Sequence, residues 1–165
     1  MKSVHRRVAA EAMREGMRQW ATGVTIVTSL YEGWKHGMTV SSFTSISLDP
    51  PLVLVSLSRQ ARTHDLVEKS GVFGVTILND QQEMISDRFA GRMSEDEDRF
   101  VGLETFTLMT GAPFLAGGLA FFDCRVEAAY QVGDHTLFLG EVIAMRTEPK
   151  GKPLIYYNRS YQRLH

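Results

Sequence analysis

The chain has 165 residues, of which 44% are hydrophobic and 22% charged, and this balance predicts a folded globular protein. Its 18 basic and 19 acidic residues leave a formal net charge of −1, so no basic surplus is available to bind nucleic acid. The single cysteine, Cys124, cannot form a disulfide within the chain or a site of several thiolates. Residues 1–20 lack the apolar run of a secretory leader, and no run approaches the ~20 apolar residues of a membrane span. We therefore expect a cytoplasmic protein with no membrane partner.

The first part of the chain predicts one helix and two strands. Residues 4–20 carry apolar side chains at roughly helical spacing, with arginine and glutamate between them, and predict an amphipathic helix. Residues 23–30 are rich in β-branched side chains and predict a strand. Residues 32–37 predict a turn, after which residues 38–47 predict a second strand.

Prolines, glycines and capping patterns divide the middle of the chain. Residues 49–51, Asp-Pro-Pro, end the second strand because proline cannot donate a ladder hydrogen bond. The continuous apolar run 52–57 predicts a strand buried on both faces. Residues 63–69 predict a helix whose first residue, a threonine, caps it, and residues 72–78 predict another strand. A further helix is predicted over 79–90, because it opens with the Asn-x-x-Gln spacing of a capping box.

The last third of the chain predicts a long β-hairpin. Apolar and polar side chains alternate over residues 122–128, which predicts one dry face and one wet face, with Asp123 on the wet one. Gly133-Asp134 is typical of a hairpin turn, and residues 136–145 predict the returning strand. Six or seven strands, a few short helices and no βαβ alternation together predict a mainly β fold, an antiparallel barrel.

Six hydroxyl side chains lie close together in the second predicted strand, more than a half-buried strand needs. One interpretation is an edge strand with a solvated hydroxyl face, which composition alone favours. The other is a binding wall, whose small hydroxyls and backbone groups meet the polar edge of a ligand. The six residues are Thr39, Ser41, Ser42, Thr44, Ser45 and Ser47.

The segment 56–63 is a second candidate site. It runs from the buried strand into a helix start and carries two serines, a threonine and two arginines beside helix N–H groups, which together can hold an anion. An ordinary capped loop with solvated arginines explains the composition equally well. The segment lacks the glycines and the lysine of a P-loop, and no G-x-G-x-x-G occurs in the chain.

His135 follows the predicted hairpin turn, a position where a histidine is usually just exposed. The five histidines and one cysteine show no metal-ligand spacing, so no metal site is expected. The sequence contains no G-x-S-x-G elbow and no identifiable pair of catalytic carboxylates. Hydrolase chemistry therefore has no support in the sequence.

Taken together, these segments resemble the flavin reductase family, the reductase components of two-component flavin-dependent monooxygenases, whose fold is the FMN-binding split barrel. The resemblance runs from about Arg14 to Leu164 and depends on an ordered set of short signatures rather than on one motif. The signatures are Trp20–Thr28, Gly37–Pro51, Phe89–Arg92, Asp98–Phe100, Gly133–His135 and Gly140–Val142.

The resemblance implies a flavin site built from separate segments of the chain. The isoalloxazine ring is implied to lie along Thr39, Val40, Ser41, Ser42 and Ser45. The ribityl chain and phosphate are implied to contact Ser56, Leu57, Ser58, Arg62 and Thr63, with Ala61 standing where many relatives place a serine. The remaining implied contacts are Phe89 and Arg92 at the distal end of the flavin, His135 at the nicotinamide as the one catalytic candidate, and Tyr156, Tyr157 and Arg159 near the C-terminus.

The resemblance also implies the activity, an NAD(P)H-dependent flavin reductase of the EC 1.5.1 type. Such an enzyme passes a hydride from NADH or NADPH to FAD or FMN and supplies reduced flavin to a partner monooxygenase. It needs no acid–base pair, because the cofactors perform the transfer once they are stacked. The alternatives are a non-enzymatic flavin-binding electron carrier on the same fold and a β-barrel interaction module. The missing hydroxyl at Ala61 favours exchangeable FAD, used as a shuttled substrate, over a retained FMN.

For the architecture, the resemblance implies an antiparallel split β-barrel of Greek-key type with a few short flanking helices. One domain is expected over residues 1–165, with an N-terminal helix in 1–20 and the barrel in 21–165. A homodimer is expected as well, since an open barrel leaves apolar surface that a second copy can cover.

Overall fold

The computed structural model of the protein describes residues 7–92, 97–148 and 150–164. The helices in these residues are α1 Ala10–Met17, α2 Arg62–Ser70 and α3 Glu83–Phe89. The strands are β1 Thr22–Gly23, β2 Thr25–Tyr31, β3 Trp34–Val40, β4 Thr44–Leu48, β5 Pro51–Ser58, β6 Val72–Ile77, β7 Thr105–Phe106, β8 Phe114–Leu115, β9 Ala120–Val132, β10 His135–Thr147, β11 Ile155–Tyr157 and β12 Ser160–Gln162. Within this part of the chain, no helix is both long enough and apolar enough to span a bilayer.

Seven strands form one antiparallel sheet in the order β3-β2-β6-β9-β10-β5-β4. At its centre β9 and β10 pair from Val132 opposite His135 to Ala120 opposite Thr147, with Gly133-Asp134 as their turn. The predicted hairpin is therefore confirmed, and it is longer at both ends than its sequence pattern indicated. Two small sheets, β1-β11-β12 and β7-β8, are separate from the large one.

The large sheet curls so that strands near its opposite edges share one core. Val40 of β3 and Val53 of β5 belong to the same buried cluster, which also contains Phe73. Just after β3, the hydroxyl of Ser42 accepts the Ser56 N–H at 3.0 Å and donates to the Ser56 carbonyl at 2.8 Å, which ties the two regions together. The predicted mainly β, antiparallel barrel is thus confirmed.

The single strand predicted over residues 38–47 is wrong. β3 and β4 take its place, separated by residues 41–43, because the Ser42 side chain binds the backbone of Ser56 and turns the chain away from a regular ladder. The turn predicted before it is also shorter than expected. It consists of Glu32-Gly33, whose φ angles of 50° and 82° are those of a tight hairpin turn with two left-handed residues.

The predicted N-terminal helix is present as α1, which is shorter than expected, and residues 4–6 lie outside the described part of the chain. Its apolar side chains are exposed, Met13 by 60% and Met17 by 52%. The preceding Val8 is 74% exposed. The barrel of this chain therefore does not cover the apolar face of the helix.

Both internal helices are present, but their starts differ from those predicted. The N-cap of α2 is Ala61, so the predicted cap, Thr63, lies inside the first turn and is fully buried. Before α3, Gln82 Oε1 accepts the Asn79 N–H at 3.0 Å, as a capping box requires. This contact closes a turn, and α3 begins only after Gln82.

Asp123 is fully buried, so its predicted place on a wet face of β9 is wrong. The segment 105–115 covers that face: the Phe106 ring lies 4.8 Å from the Phe121 ring, and Thr110 donates to Asp123 through its N–H at 2.8 Å and its hydroxyl at 2.5 Å. The first half of β9 is therefore buried on both faces, which its alternating pattern does not indicate.

Candidate functional site

Three cavities adjoin one another along the segment where β3 ends and the chain crosses to β4. The first, the α2 cavity, has a volume of about 160 Å³ and is lined by His36, Thr39, Ala61, Arg62, Phe89 and Arg99, among others. The second, the tyrosine cavity, has about 230 Å³ and is lined by Thr39, Ser41, Ser86, Arg92, Tyr156 and Tyr161, among others. The third, the Trp20 cavity, has about 380 Å³ and is lined by Trp20, Gly23, Ser41, Ser42, Phe43 and Ile77, among others. Thr39 lines the first two cavities and Ser41 the last two, and we call the three neighbouring cavities together the groove.

The N-terminus of α2 closes one side of the α2 cavity. Its N-cap, Ala61, is extended (φ −82°, ψ 137°) and makes no side-chain capping hydrogen bond. The first N–H groups of a helix have no acceptor within the helix, and that end carries partial positive charge. Arg62 adds a guanidinium to the same wall. An anionic group such as a phosphate would supply the missing cap, so the residues present here fit one.

The hydroxyl-rich segment is partly a structural element and partly a cavity wall. Thr39 Oγ1 donates to the carbonyl oxygen of Ser86 at 2.5 Å, and Ser42 is bonded to β5. Ser41 is exposed and lines two of the cavities. Ser45 is also exposed, but it lies on β4, the edge strand of the sheet. Thr39, Ser41 and Ser42 thus line the cavities, and so does Thr44 at the start of the edge strand β4.

Two of the predicted flavin contacts lie in the core of the barrel. Val40 is 5% exposed and Leu57 is fully buried, and both belong to the main core cluster. Only their backbone groups are therefore available to a ligand. Ser56 and Ser58, on the alternate positions of β5, are half-buried.

The tyrosine cavity contains a hydrogen-bonded cluster at the end of α3. The Tyr161 hydroxyl lies 2.8 Å from Ser86 Oγ and 2.8 Å from Asp87 Oδ1. A carboxylate only accepts, so the phenol donates to Asp87 and accepts from the Ser86 hydroxyl. Burial is the main cause that raises the pKa of Tyr161, so the phenol stays protonated and keeps this donor role at neutral pH. Arg92, an exposed predicted contact, bonds the same Asp87 at 3.0 Å.

Phe89 forms the buried floor of the α2 cavity. It is fully buried, and its ring packs so closely on β3 that a Cβ at Gly37 would lie 2.9 Å from Phe89 Cε1. Arg99 holds this floor in place, because its Nη1 donates to the carbonyl oxygens of Gly37 and Phe89, both at 3.0 Å. The close approach of α3 to β3 therefore depends on a glycine and a buried guanidinium.

His135 is the first residue of β10 and lies opposite Ser58, the last residue of β5. Its Nδ1 is 2.8 Å from Asp134 Oδ1, and this hydrogen bond is the main cause that lowers the pKa of Asp134. The carboxylate can only accept, so Nδ1 carries the proton and Nε2 is the acceptor of the neutral ring. Among the described residues, no three His, Cys, Asp or Glu side chains gather as a metal site requires.

The remaining predicted contacts lie at the β11–β12 hairpin. Tyr156 lines the tyrosine cavity, and its ring packs 5.5 Å from that of Tyr161. Tyr157 instead points to Gln19, with its hydroxyl 3.3 Å from the amide oxygen. Arg159 is exposed in the hairpin turn, at a φ of 62°. Of these three predicted residues, the structure brings Tyr156 to the groove.

Several groove residues were missing from the sequence-based set. His36, whose Nδ1 lies 2.9 Å from Thr63 Oγ1, and Arg99 both line the α2 cavity, and Ser86 and Tyr161 line the tyrosine cavity. Arg99 lies in one of the family signatures, which was a signal of its importance. His36 lies on β3 itself, whereas Ser86 and Tyr161 belong to α3 and β12, which only the fold brings to β3.

A serine at position 61 is expected to strengthen both the helix and the anion site. Ala61→Ser should raise the free energy of unfolding by about 1 kcal/mol, because a hydroxyl at the N-cap accepts a first-turn N–H. We expect FMN to bind about fivefold more tightly, because the hydroxyl can also donate to a phosphate. Calorimetric titrations and denaturant unfolding measure the two effects. Riboflavin, which has no phosphate, should show no gain, and Gln60→Ser, with its hydroxyl one residue earlier, should change neither quantity.

Comparison with known proteins shows which family this chain resembles. Residues 17–165 match the flavin reductase like domain. The chain is 39% identical over 157 residues to the NADH-dependent flavin reductase StyB of Pseudomonas fluorescens, covering 93% of this chain and 89% of the relative. It is 36% identical over 154 residues to the reductase component of 4-hydroxyphenylacetate 3-monooxygenase of Thermus thermophilus, covering 93% and 96% of the two chains.

Solved structures show the same likeness in three dimensions. The NADH:FAD oxidoreductase SgcE6 of Streptomyces globisporus C-1027, in complex with NAD and FAD fragments, superposes with a TM-score of 0.87 at 32% identity. The match covers 97% of each chain. The fold of this chain is therefore the split barrel of the flavin reductases.

Proposed function

The chain belongs to the flavin reductase like domain family, and from this premise we propose that it is an NADH-dependent flavin reductase, an oxidoreductase of the EC 1.5.1 class. It transfers a hydride from NADH to FAD or FMN and releases the reduced flavin to a partner monooxygenase. The observation that carries the proposal is the uncapped N-terminus of α2, opening onto a groove walled by small hydroxyls and backbone groups.

The residues of the groove fit the two ends of a flavin mononucleotide moiety. The N–H groups at the start of α2 and the guanidinium of Arg62 would hold the phosphate, and the hydroxyl and backbone groups of residues 39–42 would bind the ring. A bound flavin supplies the hydride-accepting ring. The chain binds and orients the two nucleotides and limits the access of water, so no general acid or base is needed among its side chains.

His135 is proposed to orient the nicotinamide. It lies beside the end of β5, directly after the Gly133-Asp134 turn of the central hairpin, and its Nε2 can accept a hydrogen bond from a carboxamide NH₂. The tip of the β9–β10 hairpin is bound to the loop between β5 and α2, because the Arg59 N–H donates to the Asp134 carbonyl at 3.0 Å. This contact supports the proposal that the histidine borders both nucleotides.

Replacing His135 is expected to weaken the binding of NADH but not that of flavin. His135→Ala should raise the KM for NADH about fivefold through the loss of one hydrogen bond, while the Kd for flavin stays unchanged. Steady-state kinetics and flavin titrations measure the two quantities. His135→Gln, whose amide oxygen can still accept, should recover most of the loss. Equal NADH kinetics in wild type and His135→Ala would remove the histidine from the nicotinamide site.

The proposed activity is tested with a grid of NADH and NADPH against FAD, FMN and riboflavin. We expect the rate of nucleotide oxidation to increase with added flavin and to be higher with NADH than with NADPH. No turnover in any of the six combinations overturns the proposal. Tight flavin binding without NADH oxidation would favour the electron carrier, and failure to bind any flavin would favour the interaction module.

We also propose a monooxygenase partner, a homodimer and a cytoplasmic location. The partner is supported by the relative that is a reductase component of 4-hydroxyphenylacetate 3-monooxygenase. The dimer is supported by exposed apolar side chains on α1 and by Leu48 of β4, which is 90% exposed. The location is supported by the single free and buried cysteine. Light scattering should give twice the mass of one chain, and a mass of one chain would contradict the dimer.

A further inference from the structure

A buried hydrogen bond joins the first turn of α2 to the start of β10. His64 is the third residue of α2 and Thr136 is the second residue of β10, and both side chains are buried. His64 Nε2 lies 2.8 Å from Thr136 Oγ1. Neither residue lines a cavity of the groove, and the function proposed above does not use this contact.

The surroundings of the His64 ring decide which atom donates. Nδ1 lies 3.4 Å from Asp65 Oδ1, and a carboxylate only accepts, so Nδ1 carries the proton of the neutral ring. Nε2 is then the acceptor, and the Thr136 hydroxyl donates to it. The ring also packs on Phe138, two residues further along β10, with the ring centres 5.2 Å apart. A shift of α2 along β10 would therefore break a buried hydrogen bond and a ring contact.

The contact connects the two places where the proposed reaction holds its reactants. The first turn of α2 carries the N–H groups that are proposed to bind the flavin phosphate. Thr136 directly follows His135, which is proposed to orient the nicotinamide. Hydride transfer depends on the alignment of the two rings, and a misplacement of about 1 Å can cost on the order of 100-fold in rate. The spacing between α2 and β10 therefore bears on the rate of the reaction.

A second side chain of the same helical turn bonds a different strand. Thr63 Oγ1 lies 2.9 Å from His36 Nδ1, which ties α2 to β3. β3 leads into the wall proposed to bind the flavin ring, so this contact fixes the phosphate end of the flavin site relative to its ring end. Of the two contacts, the one through His64 reaches the strand that carries His135.

We infer that His64 and Thr136 are positioning residues for hydride transfer, which hold the flavin-phosphate end of α2 at a fixed place relative to His135. The inference rests on the proposed function, since that function assigns the phosphate to α2 and the nicotinamide to His135. It has a consequence that a purely structural contact lacks. Riboflavin has no phosphate to bind at α2, so its reduction does not depend on this pair.

The test compares FMN with riboflavin as the acceptor of the hydride from NADH. Anaerobic stopped-flow absorbance measures the rate of flavin reduction at saturating NADH and flavin. Thr136→Val, which keeps the side-chain shape without the hydroxyl, should lower the rate with FMN about tenfold and leave the rate with riboflavin within about twofold of the wild type. Thr136→Ser, which keeps the hydroxyl, should retain most of the rate with FMN. Thr76→Val is the matched control, because it removes another fully buried threonine hydroxyl, which accepts the Leu115 N–H at 3.3 Å, and it should reduce both flavins like the wild type.

Two substitutions at His64 test the same bond from its other end. The amide of glutamine reaches about as far as Nε2, so His64→Gln can still accept the Thr136 hydroxyl and should keep most of the rate with FMN. The amide of asparagine reaches only about as far as Nδ1, so His64→Asn should show the selective loss of Thr136→Val. Combining His64→Asn with Thr136→Val should add no further loss, because both variants remove the same contact.

The remaining results separate this inference from the proposed function. Equal losses with FMN and riboflavin would assign the pair to the stability of the barrel, and unchanged rates with FMN in Thr136→Val and His64→Asn would remove it from the reaction. Either result overturns the inference and leaves the reductase standing. A wild-type protein that reduces no flavin with NADH overturns the proposed function, and the inference with it.

Discussion

Asp123→Ala is expected to lower the free energy of unfolding by about 3 kcal/mol, although the residue touches none of the groove cavities. The carboxylate is fully buried, and Oδ2 accepts the N–H groups of Met109 and Thr110 at 2.6 and 2.8 Å, while Oδ1 accepts the Thr110 hydroxyl at 2.5 Å. Alanine leaves three donors without their acceptor, and each buried unsatisfied donor costs about 1–3 kcal/mol, less where water can enter. The loop 107–112 would lose its attachment to β9.

Asp123→Asn should be much milder, with a loss of about 1 kcal/mol. The amide oxygen can still accept both backbone N–H groups, and the NH₂ can donate to Thr110 Oγ1 once that hydroxyl turns. The hydroxyl oxygen also accepts the Ala112 N–H at 3.1 Å and has a second lone pair for the amide. The difference between the two variants therefore isolates the acceptor at Oδ2.

Urea unfolding at constant pH measures both losses, and Tm should fall by about 10 °C in Asp123→Ala. Glu127→Ala is the matched control, because Glu127 is a carboxylate on the same strand that is exposed. The control should remain within about 0.5 kcal/mol of the wild type. An Asp123→Ala protein as stable as this control would show that the carboxylate does not anchor the loop.

Gly140→Ala is the second substitution with a large expected effect, a loss of about 2–3 kcal/mol. A Cβ at this position of β10 would lie 2.4 Å from Phe73 Cζ, 2.7 Å from Phe73 Cε1 and 3.0 Å from Cys124 Cβ. The Phe73 ring cannot turn away cheaply, because it is fully buried in the main core cluster. Overpacking of this kind typically costs about 1–3 kcal/mol.

A double-mutant cycle checks the cause of the Gly140 effect. Phe73→Leu on its own should destabilise by leaving space, but combined with Gly140→Ala it should recover part of the loss, giving a coupling of about 1 kcal/mol or more. Gly23→Ala is the control, because nothing lies within 4 Å of a Cβ there and the backbone is not left-handed. Additive losses in the double variant would contradict the proposed clash.

The Gly140 contact also explains why one family signature contains a glycine. Gly140 lies where a register shift separates it from Leu139 in the β9–β10 pairing, and Phe73 of β6 fills the space above it. Gly140 is therefore a packing residue of the barrel core. Gly37, against the Phe89 ring, plays the same part beside the α2 cavity.

The candidate site could be predicted from sequence where its residues are close to one another along the chain. The segment 56–63 runs from β5 into α2, so a strand end, a loop and a helix start that follow one another in the chain form this candidate anion site. The wall at residues 39–42 is implied by the family resemblance, since composition alone favours an edge strand. Ser86, Tyr161 and Arg99 were missed, because each reaches the groove from an element far away in the chain.

The sequence by itself determined the elements whose signals are local: the long hairpin around Gly133-Asp134, the position of strand β5, the helices and the mainly β class. The predicted burial of β5 on both faces is wrong, because its buried residues, Val53, Val55 and Leu57, alternate with half-buried ones. Turn chemistry and apolar patterning act between near neighbours, so their signals can be found in the sequence alone. The tertiary structure alone decided the burial of Asp123, the break after β3 and the shape of the groove. The burial of Asp123 depends on the loop 107–112, which packs on β9, and the break after β3 depends on the hydrogen bonds between Ser42 and Ser56. The free energy of these contacts outweighs the local pattern. Long-range hydrogen bonds leave no periodicity in the sequence.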